Sequence, residues 1–307
     1  MPLGFWMLRV FLLSLFMLAT GQVALAWTPD RWFPEAKSPR IANYRIDGVL
    51  DWPAKILAAS ETLSWRNTGT AATQEFPLHL YLNAFKGPQS LFMRESGGVL
   101  DQDRMGPQEI ASSWGYCRLL SVRMEGRDLD GHFGEDETVY WVRLPRAVAT
   151  GETIHLDIAW ESRFPKVWAR AGWGDGFLMA SQWFPKAGVY QGDRWNCHPY
   201  HAATEFFADF GVYDVSISMP NSLRPAYTGT PLPFKDADGQ LKDAWPDPKR
   251  PENRLWKFHA EDVHDFAWAA MLQWSWGFKG WTYRGVDVYY YYQGANLDNL
   301  PRQRAAI

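Results

Sequence analysis

Apolar and polar residues alternate along several short segments of the chain, as in β-strands that turn one face toward a core. In residues 153–160 every second residue is large and apolar, and residues 76–82 alternate in the same way. Further segments of this kind are residues 44–50, 62–65, 119–124, 138–144, 211–219, 255–258 and 286–292. Short strands separated by turns, without an alternating rhythm of helices, predict an all-β fold built as a sandwich or a large sheet.

The segments between these strands carry their own signals. Residues 90–113 contain paired glycines and mixed charge, and they predict a long loop with a helical turn. Residues 231–251 are rich in Pro, Asp and Lys and predict an exposed hairpin or loop. Residues 296–301 combine helix-capping residues with a proline. We interpret residues 296–307 as the start of a helical region that is cut short, with a frayed natural tail as the alternative.

Residues 1–26 have the layout of a cleavable export signal. A segment ending in Arg9 precedes an apolar run over residues 10–19, and small residues at Ala24 and Ala26 supply a cleavage site. The alternative is an uncleaved anchor, although the run is short for a membrane span. The sequence therefore predicts a soluble mature chain in the periplasm or outside the cell, without membrane contact after cleavage.

Composition narrows the possible partners. The formal net charge is −3 and the sequence pI is about 6.2, with no basic block to neutralise phosphates, so nucleic acid is excluded as a partner. Aromatic residues make up 16% of the chain, including 18 Trp, which suits both strands and stacking surfaces. Trp274, Trp276, Phe278 and residues 289–292 are candidates for a stacking platform. At strand spacing half of them would face a core, so core packing is the favoured interpretation.

The reactive side chains assign no catalytic residue. The chain has no His-Glu-x-x-His, no Gly-rich phosphate loop and no Gly-x-Ser-x-Gly. His198 and His201, with Glu205, are the nearest approach to a metal site, but Pro199 separates the two histidines and structural hydrogen bonding is favoured.

Two cysteines leave two alternatives open. Cys117 and Cys197 could form one disulfide, which an export signal would permit, or remain two buried thiols.

Three stretches together resemble a known family. They are Leu-Tyr-Leu-Asn-Ala-Phe at residues 80–85, Glu-Phe-Phe-Ala-Asp-Phe-Gly-Val-Tyr-Asp-Val at residues 205–215, and Glu-Asp-Val-His-Asp-Phe-Ala-Trp at residues 261–268. In sequence, order and spacing they resemble bacterial relatives of the membrane alanyl aminopeptidases, zinc exopeptidases of the gluzincin class. The resemblance extends from residue 44 to about residue 293.

This resemblance implies that residues 27–295 form the saddle-like N-terminal β-domain of such an enzyme, packed against a thermolysin-like helical domain that holds zinc. It also implies that Gln182, in Ala-Ser-Gln-Trp-Phe-Pro, helps bind the free amino end of a peptide substrate, since an amide carbonyl accepts from an ammonium. A glutamine that merely ends a strand is the alternative. The family's Gly-x-Met-Glu-Asn loop, zinc ligands and catalytic Tyr are missing and would lie beyond residue 307.

Two functions follow from these observations. The first is a β-domain of an exported zinc-aminopeptidase-like protein, truncated before the zinc site, inactive alone and without a cofactor of its own. Its partner would be the missing helical domain or a separate chain that supplies it, and an exposed apolar face should mark the place where that partner packs. The alternative is a stand-alone exported β-rich module that binds glycans or proteins through surface aromatic residues.

Overall fold

A computed structural model of the chain describes residues 33, 35–97, 99–100, 103–104, 113–166, 170–174, 176–203 and 206–306. The predicted export signal at residues 1–26, Glu205 and the last residue of the predicted helix lie outside the described residues. The regular elements are almost all strands, which confirms the all-β prediction. In chain order they are β1 (Ala42–Asp51), β2 (Ile56–Arg66), β3 (Thr73–His79), β4 (Val99–Leu100), β5 (Asp103–Arg104), β6 (Tyr116–Met124), β7 (Arg127–Asp128), β8 (Gly131–Phe133), β9 (Val139–Val148), β10 (Thr153–Arg163), β11 (Gly172–Gly174), β12 (Phe177–Ala180), β13 (Lys186–Ala187), β14 (Val189–Gln191), β15 (Arg194–Asn196), β16 (Gly211–Pro220), β17 (Leu223–Tyr227), β18 (Thr230–Pro231), β19 (Phe234–Lys235), β20 (Leu241–Lys242), β21 (Trp245–Pro246), β22 (Asn253–Val263), β23 (Trp268–Leu272), β24 (Trp276–Tyr283) and β25 (Val286–Gln293).

Helical structure is limited to short pieces among the described residues. They are α1 (Leu91–Glu95), α2 (Leu300–Ala305) and two 3-10 helices, Tyr81–Phe85 and Gly294–Asn299. The sequence predicted a helical turn within residues 90–113 and a helix start after residue 296, and α1 and α2 confirm both. In the part of the chain that the structure describes, no helix has the length and apolar character to cross a membrane.

The largest sheet has nine strands, ordered β18-β22-β16-β1-β2-β10-β6-β7, with β21 also paired to β22. All of its pairings are antiparallel except that of β1 with β16, which is parallel and places Tyr44 opposite Tyr213. Two four-stranded sheets, β11-β12-β23-β17 and β13-β3-β9-β8, complete the main architecture. The parallel pair joins strands from the two halves of the sequence at the centre of the large sheet.

The core faces of these strands carry the predicted apolar positions. On β10, Ile154, Leu156, Ile158 and Trp160 are all at most 2% exposed, as the period-two pattern requires. Burial of such side chains contributes roughly 25 cal/mol per Å² of apolar surface. Trp65, Trp160, Trp183 and Trp268 are among the largest fully buried side chains, so much of the high aromatic content serves the core.

The strand predicted over residues 76–82 ends earlier than its pattern suggested. β3 stops at His79 and the chain turns into the 3-10 helix Tyr81–Phe85. Every residue from 76 to 85 is buried, so both faces of the segment are covered. Asn83 stabilises the turn by donating from Nδ2 to the Glu137 carbonyl (2.8 Å) and accepting at Oδ1 from the Cys117 N–H (2.9 Å).

The hairpin of β24 and β25 projects from this body. No side chain of either strand is buried. One face contacts β17, where the Arg224 guanidinium lies 4.5 Å from the Phe278 ring centroid and the Tyr291 hydroxyl donates to the Pro225 carbonyl (3.4 Å). A two-residue turn, Arg284-Gly285, closes the hairpin with positive φ angles of 48° and 80°.

Candidate functional site

Gln182 lies in the short connection between β12 and β13. Its φ is +54°, the left-handed region that non-glycine residues seldom adopt, and its side chain is buried at 6% exposure. The residue after it, Trp183, is fully buried and donates from Nε1 to the Phe266 carbonyl (2.8 Å). Packing of Trp183 therefore holds the connection in place, and the strained backbone directs the Gln182 side chain inward.

Both ends of the Gln182 amide are bound within the chain. Nε2 donates to Asp265 Oδ2, and Oε1 accepts from Lys186 Nζ at 2.9 Å. Lys186 Nζ also forms an ion pair with Asp265 Oδ1 at 2.8 Å. Because Lys186 can only donate and a carboxylate accepts, the positions of the amide nitrogen and oxygen are fixed by their partners. We call Gln182, Lys186 and Asp265 the ammonium cluster, after the Nζ group of Lys186.

Aromatic rings form the wall behind the ammonium cluster. The Phe184 ring centroid lies 5.2 Å from Lys186 Nζ and 5.3 Å from the Tyr44 ring centroid. Tyr44 in turn stacks on Tyr213 at 4.7 Å, and its hydroxyl accepts from the Ala187 N–H at 3.1 Å. Tyr44 and Tyr213 are opposite each other in the parallel pair of β1 and β16. The centre of the large sheet thus supports the cluster.

Burial sets the protonation of the surrounding groups. It lowers the pKa of Lys186, while the charge of Asp265 and its hydrogen bond oppose that shift. Burial, together with the charges of Lys186 and His198, lowers the pKa of His79 to about 3, so this imidazole is neutral near pH 7. Burial raises the pKa of Asp209 to about 6. Within the ammonium cluster, the positive charge of Lys186 is paired with one carboxylate, Asp265.

A small cleft lies beside β3, the strand that pairs with β13. His79, which is opposite Lys186 in that pairing, lines the cleft. Its other lining residues are Tyr81, Asn196, His198, Pro199, Tyr200, His201, Phe206 and Phe207. His79 stacks on Tyr81 with ring centroids 4.3 Å apart. The cleft is thus walled mainly by aromatic rings and imidazoles.

The two histidines singled out by sequence have separate partners. His198 Nε2 lies 2.9 Å from Asn196 Oδ1, and His201 Nδ1 lies 2.8 Å from Glu95 Oε1 on α1. These contacts agree with the structural interpretation of both residues. No three His, Cys, Asp or Glu side chains within the described residues are arranged to hold a metal ion.

The two cysteines are free thiols at different places in the fold, which resolves the alternative left open by the sequence. Cys117 is buried on β6, and burial raises the pKa of its thiol to about 12. Cys197 lies against His79, with Sγ 3.3 Å from Nε2, and burial raises its pKa as well. Neither thiol has the thiolate character of a nucleophile.

The favoured interpretation of the late aromatic residues as core was wrong. Trp274 is 72% exposed and Tyr289 is 52% exposed. Phe278 is exposed too, and Trp276 and residues 290–292 are only half-buried. The reason is that Trp274 lies in the turn between β23 and β24, and that β24 and β25 form a separate two-stranded hairpin with no buried side chain.

Sequence reasoning singled out Gln182 but not its two partners, Lys186 and Asp265. Lys186 is a lone charge in an otherwise apolar stretch, Trp183–Tyr190, and that isolation is a signal for a buried, paired lysine. Asp265 lay within one of the recognised stretches, residues 261–268, without an assigned role. Its partner could not be known, because 83 residues separate it from Gln182.

No family model matches the sequence, and no curated protein matches it. Among solved structures, the chain is similar to the M1 zinc metallopeptidase from Deinococcus radiodurans, with 13% identity, a TM-score of 0.44, and 81% of this chain and 46% of that chain covered. A two-domain M1 zinc metallopeptidase mutant bound to L-tryptophan gives 13% identity, a TM-score of 0.45, and coverage of 84% and 49%. A mutant of the Deinococcus radiodurans enzyme bound to a Tyr-Ser-Ala substrate gives 12% identity, a TM-score of 0.43, and coverage of 84% and 49%. The chain spans about half the length of these structures.

Proposed function

We propose that this chain is the β-domain of an exported zinc-aminopeptidase-like protein and that it helps bind the amino end of a peptide. The observation that carries the proposal is that the three family-like stretches contact one another in space and that one of them contacts Gln182. Tyr81, from residues 80–85, contacts Phe206, from residues 205–215, with ring centroids 4.9 Å apart. Phe210 contacts His264 at 5.4 Å, and Gln182 donates to Asp265.

Two members of the ammonium cluster carry the acceptors that recognition of an amino end requires. The Gln182 carbonyl and the Asp265 carboxylate are the acceptors that an ammonium requires, and Asp265 retains 18% side-chain exposure. These groups would bind and orient a peptide but not cleave it. Zinc in a second domain would supply the activated water and the Lewis acid for the scissile carbonyl. On its own, the chain should therefore be inactive, and we place the protein in the periplasm or outside the cell.

The hairpin of β24 and β25 is the proposed contact with that second domain. A two-stranded hairpin is marginally stable in water unless a face is covered. The face away from β17 carries Trp281, Tyr283, Val288 and Tyr290, of which Trp281 has the Arg304 guanidinium 5.7 Å from its ring centroid. An apolar sheet face of this kind is suited to packing against a helical domain.

The test begins with the reading frame beyond codon 307. We expect it, or a neighbouring gene, to encode a domain with His-Glu-x-x-His, and the combined protein to bind zinc and hydrolyse aminoacyl p-nitroanilides. Gln182→Leu should raise KM more than it lowers kcat, because it removes binding of the amino end. Gln74→Leu, an exposed glutamine on β3, is the matched control. A combined protein without peptidase activity would refute the proposal.

A second function is favoured by one specific observation, the exposure of Trp274 and Tyr289. Exposed aromatic rings stack on sugar rings and on protein partners. If the chain is a stand-alone binding module, it should bind components of a glycan array or a partner protein, and Trp274→Ser with Tyr289→Ser should abolish that binding. Binding that survives both substitutions, or its absence from the unchanged chain, would count against this alternative.

A further inference from the structure

The side chain of Lys186 ends in a primary ammonium group, which the other two members of the ammonium cluster bind. It is 1% exposed, and its Nζ lies 2.9 Å from Gln182 Oε1, 2.8 Å from Asp265 Oδ1 and 5.2 Å from the Phe184 ring centroid. A neutral carbonyl, a carboxylate and an aromatic face together are the groups that recognise a primary ammonium. Their convergence on one nitrogen shows that the acceptors are already arranged for such a group.

The orientation of Gln182 makes this arrangement specific. Its Nε2 donates to Asp265, which turns Oε1 toward the ammonium of Lys186 and not toward another donor. The left-handed backbone of Gln182 is an unfavourable conformation that the surrounding packing maintains. A residue that merely ended a strand would not need both a strained backbone and two fixed amide partners.

A second ammonium does not fit while Lys186 is in place. An external amine that approached Oε1 would lie beside the Lys186 charge, and like charges repel strongly in a buried site of low dielectric. Asp265 already balances one positive charge, and no second carboxylate contacts Lys186 Nζ in the ion pairs of the described residues. The lysine and an external amine must therefore compete for the same acceptors.

We infer that Gln182, Asp265 and Phe184 form a binding site for a primary alkylammonium, that the side chain of Lys186 is its internal occupant, and that an external amine binds only when this side chain leaves. The ammonium site depends only on the contacts of Lys186 Nζ with Gln182, Asp265 and Phe184. Its use for the amino end of a peptide rests on the proposed function, and in that setting Lys186 regulates the site by blocking it.

Replacement of the internal ligand tests the inference in the isolated chain. Lys186→Ala removes the atoms from Cγ to Nζ, which correspond to n-propylammonium. The variant should have a lower thermal unfolding midpoint than the unchanged chain, because the Gln182 carbonyl and the Asp265 carboxylate lose their donor. Added n-propylammonium chloride should raise the midpoint again, with a logarithmic dependence on concentration above its dissociation constant. The dissociation constant obtained from that dependence should be no tighter than about 40 µM, the limit for a ligand of four heavy atoms.

Matched variants separate ammonium recognition from filling of a cavity. Lys186→Met fills the volume without charge or donors, and Lys186→Ala with Gln182→Leu lacks the carbonyl acceptor, so neither should respond as Lys186→Ala does. Lys257→Ala removes a lysine that lies 4.2 Å from the Trp245 ring centroid and has no carboxylate partner among the described residues, and this variant should not respond either. The midpoint of the unchanged chain should also show no such rise.

The inference would be overturned if tetramethylammonium chloride or n-propanol raised the unfolding midpoint of Lys186→Ala as much as n-propylammonium does. It would also be overturned if the midpoint of the unchanged chain rose equally. If Lys186→Ala does not fold alone, refolding with and without n-propylammonium replaces the thermal scan. A yield of folded protein that does not depend on the amine would then overturn it. None of these readouts requires zinc or peptidase activity, so failure here is distinct from failure of the proposed function.

Discussion

Glu61 is a carboxylic acid enclosed in the core face of the large sheet. It is 3% exposed and lies between Ile46 of β1 and Ile158 of β10 in the strand register. Neither of its carboxylate oxygens has a hydrogen-bond partner among the described residues. Burial raises its pKa well above the usual value for Glu, because the charged form loses its hydration. Burial therefore favours the neutral acid form of Glu61 in the folded chain.

Glu61 predicts a specific dependence of stability on pH. Its folded pKa is raised, so stability is highest below the unfolded value near 4.3 and falls as pH rises toward the folded pKa, by up to about 1.4 kcal/mol per pH unit. Glu61→Met removes this dependence and the two buried acceptors. We expect it to raise the free energy of unfolding at pH 8 by about 1–3 kcal/mol, and by less at pH 4.5. Urea unfolding at both pH values measures the difference.

Glu75 on β3 provides the control for this substitution. Its side chain is exposed, so Glu75→Met should change the free energy of unfolding by less than about 0.5 kcal/mol at either pH. A variant at position 61 that is no more stable than the unchanged chain at pH 8 would show that Glu61 has found a partner in solution.

At single residues, the sequence singled out Gln182 but not its contacts. The resemblance pointed to Gln182, and the residue proved to have a strained backbone and a buried amide. Nothing in the sequence linked it to Asp265, since that contact depends on the way in which β12 and β23 pair within a four-stranded sheet. Its amino-end role remains a prediction, and Lys186 adds a competitor that spacing alone did not reveal.

At the scale of elements, the turn of the β24–β25 hairpin has an unfavourable residue. A two-residue loop of this type needs positive φ at both positions, which Asn-Gly supplies best. Here Arg284 adopts φ of +48° ahead of Gly285. The hairpin has no buried side chain to compensate for strain in its turn, so its local stability should respond directly to the residue at position 284.

Two substitutions at this position should have opposite effects. Arg284→Asn should retain the turn, whereas Arg284→Val should open the hairpin, with a difference of about 1–2 kcal/mol in local stability. Both variants lose the contact of Arg284 with the Tyr283 ring, so that loss cancels in the comparison. Hydrogen exchange of the amides in β24 and β25 measures the difference. Equal exchange in the two variants would contradict the assigned turn geometry.

Most strands were predictable because alternation follows directly from one buried and one exposed face. The pattern was less informative for β3 and the following 3-10 helix, where both faces are covered and every residue is buried. It was misleading for β24 and β25, since an exposed hairpin with aromatic residues has the same pattern as a core strand. Strand pairing decides between these cases, and pairing depends on distant residues.

For the whole molecule, the structure predicts stability that does not depend on a disulfide. Cys117 and Cys197 are both free. Protein produced in an oxidising compartment and unfolded in guanidinium without reductant should yield two titratable thiols, and dithiothreitol should leave its thermal midpoint unchanged. Cys117→Ala should yield one thiol. A fully oxidised chain with no titratable thiol would contradict the arrangement.

The parallel pairing of β1 with β16 also determines the order in which the strands of the large sheet can pair. β1 can join β2 as soon as both are synthesised, but its other edge stays open until residues 211–220 follow about half a chain length later. An open edge beside the apolar side chains of Tyr44 and Ile46 is a template for wrong pairing. Because this pairing joins residues that are far apart in the sequence, it should form slowly and late in folding. Nascent chains and fragments that end before Pro220 should therefore depend on chaperones to remain soluble.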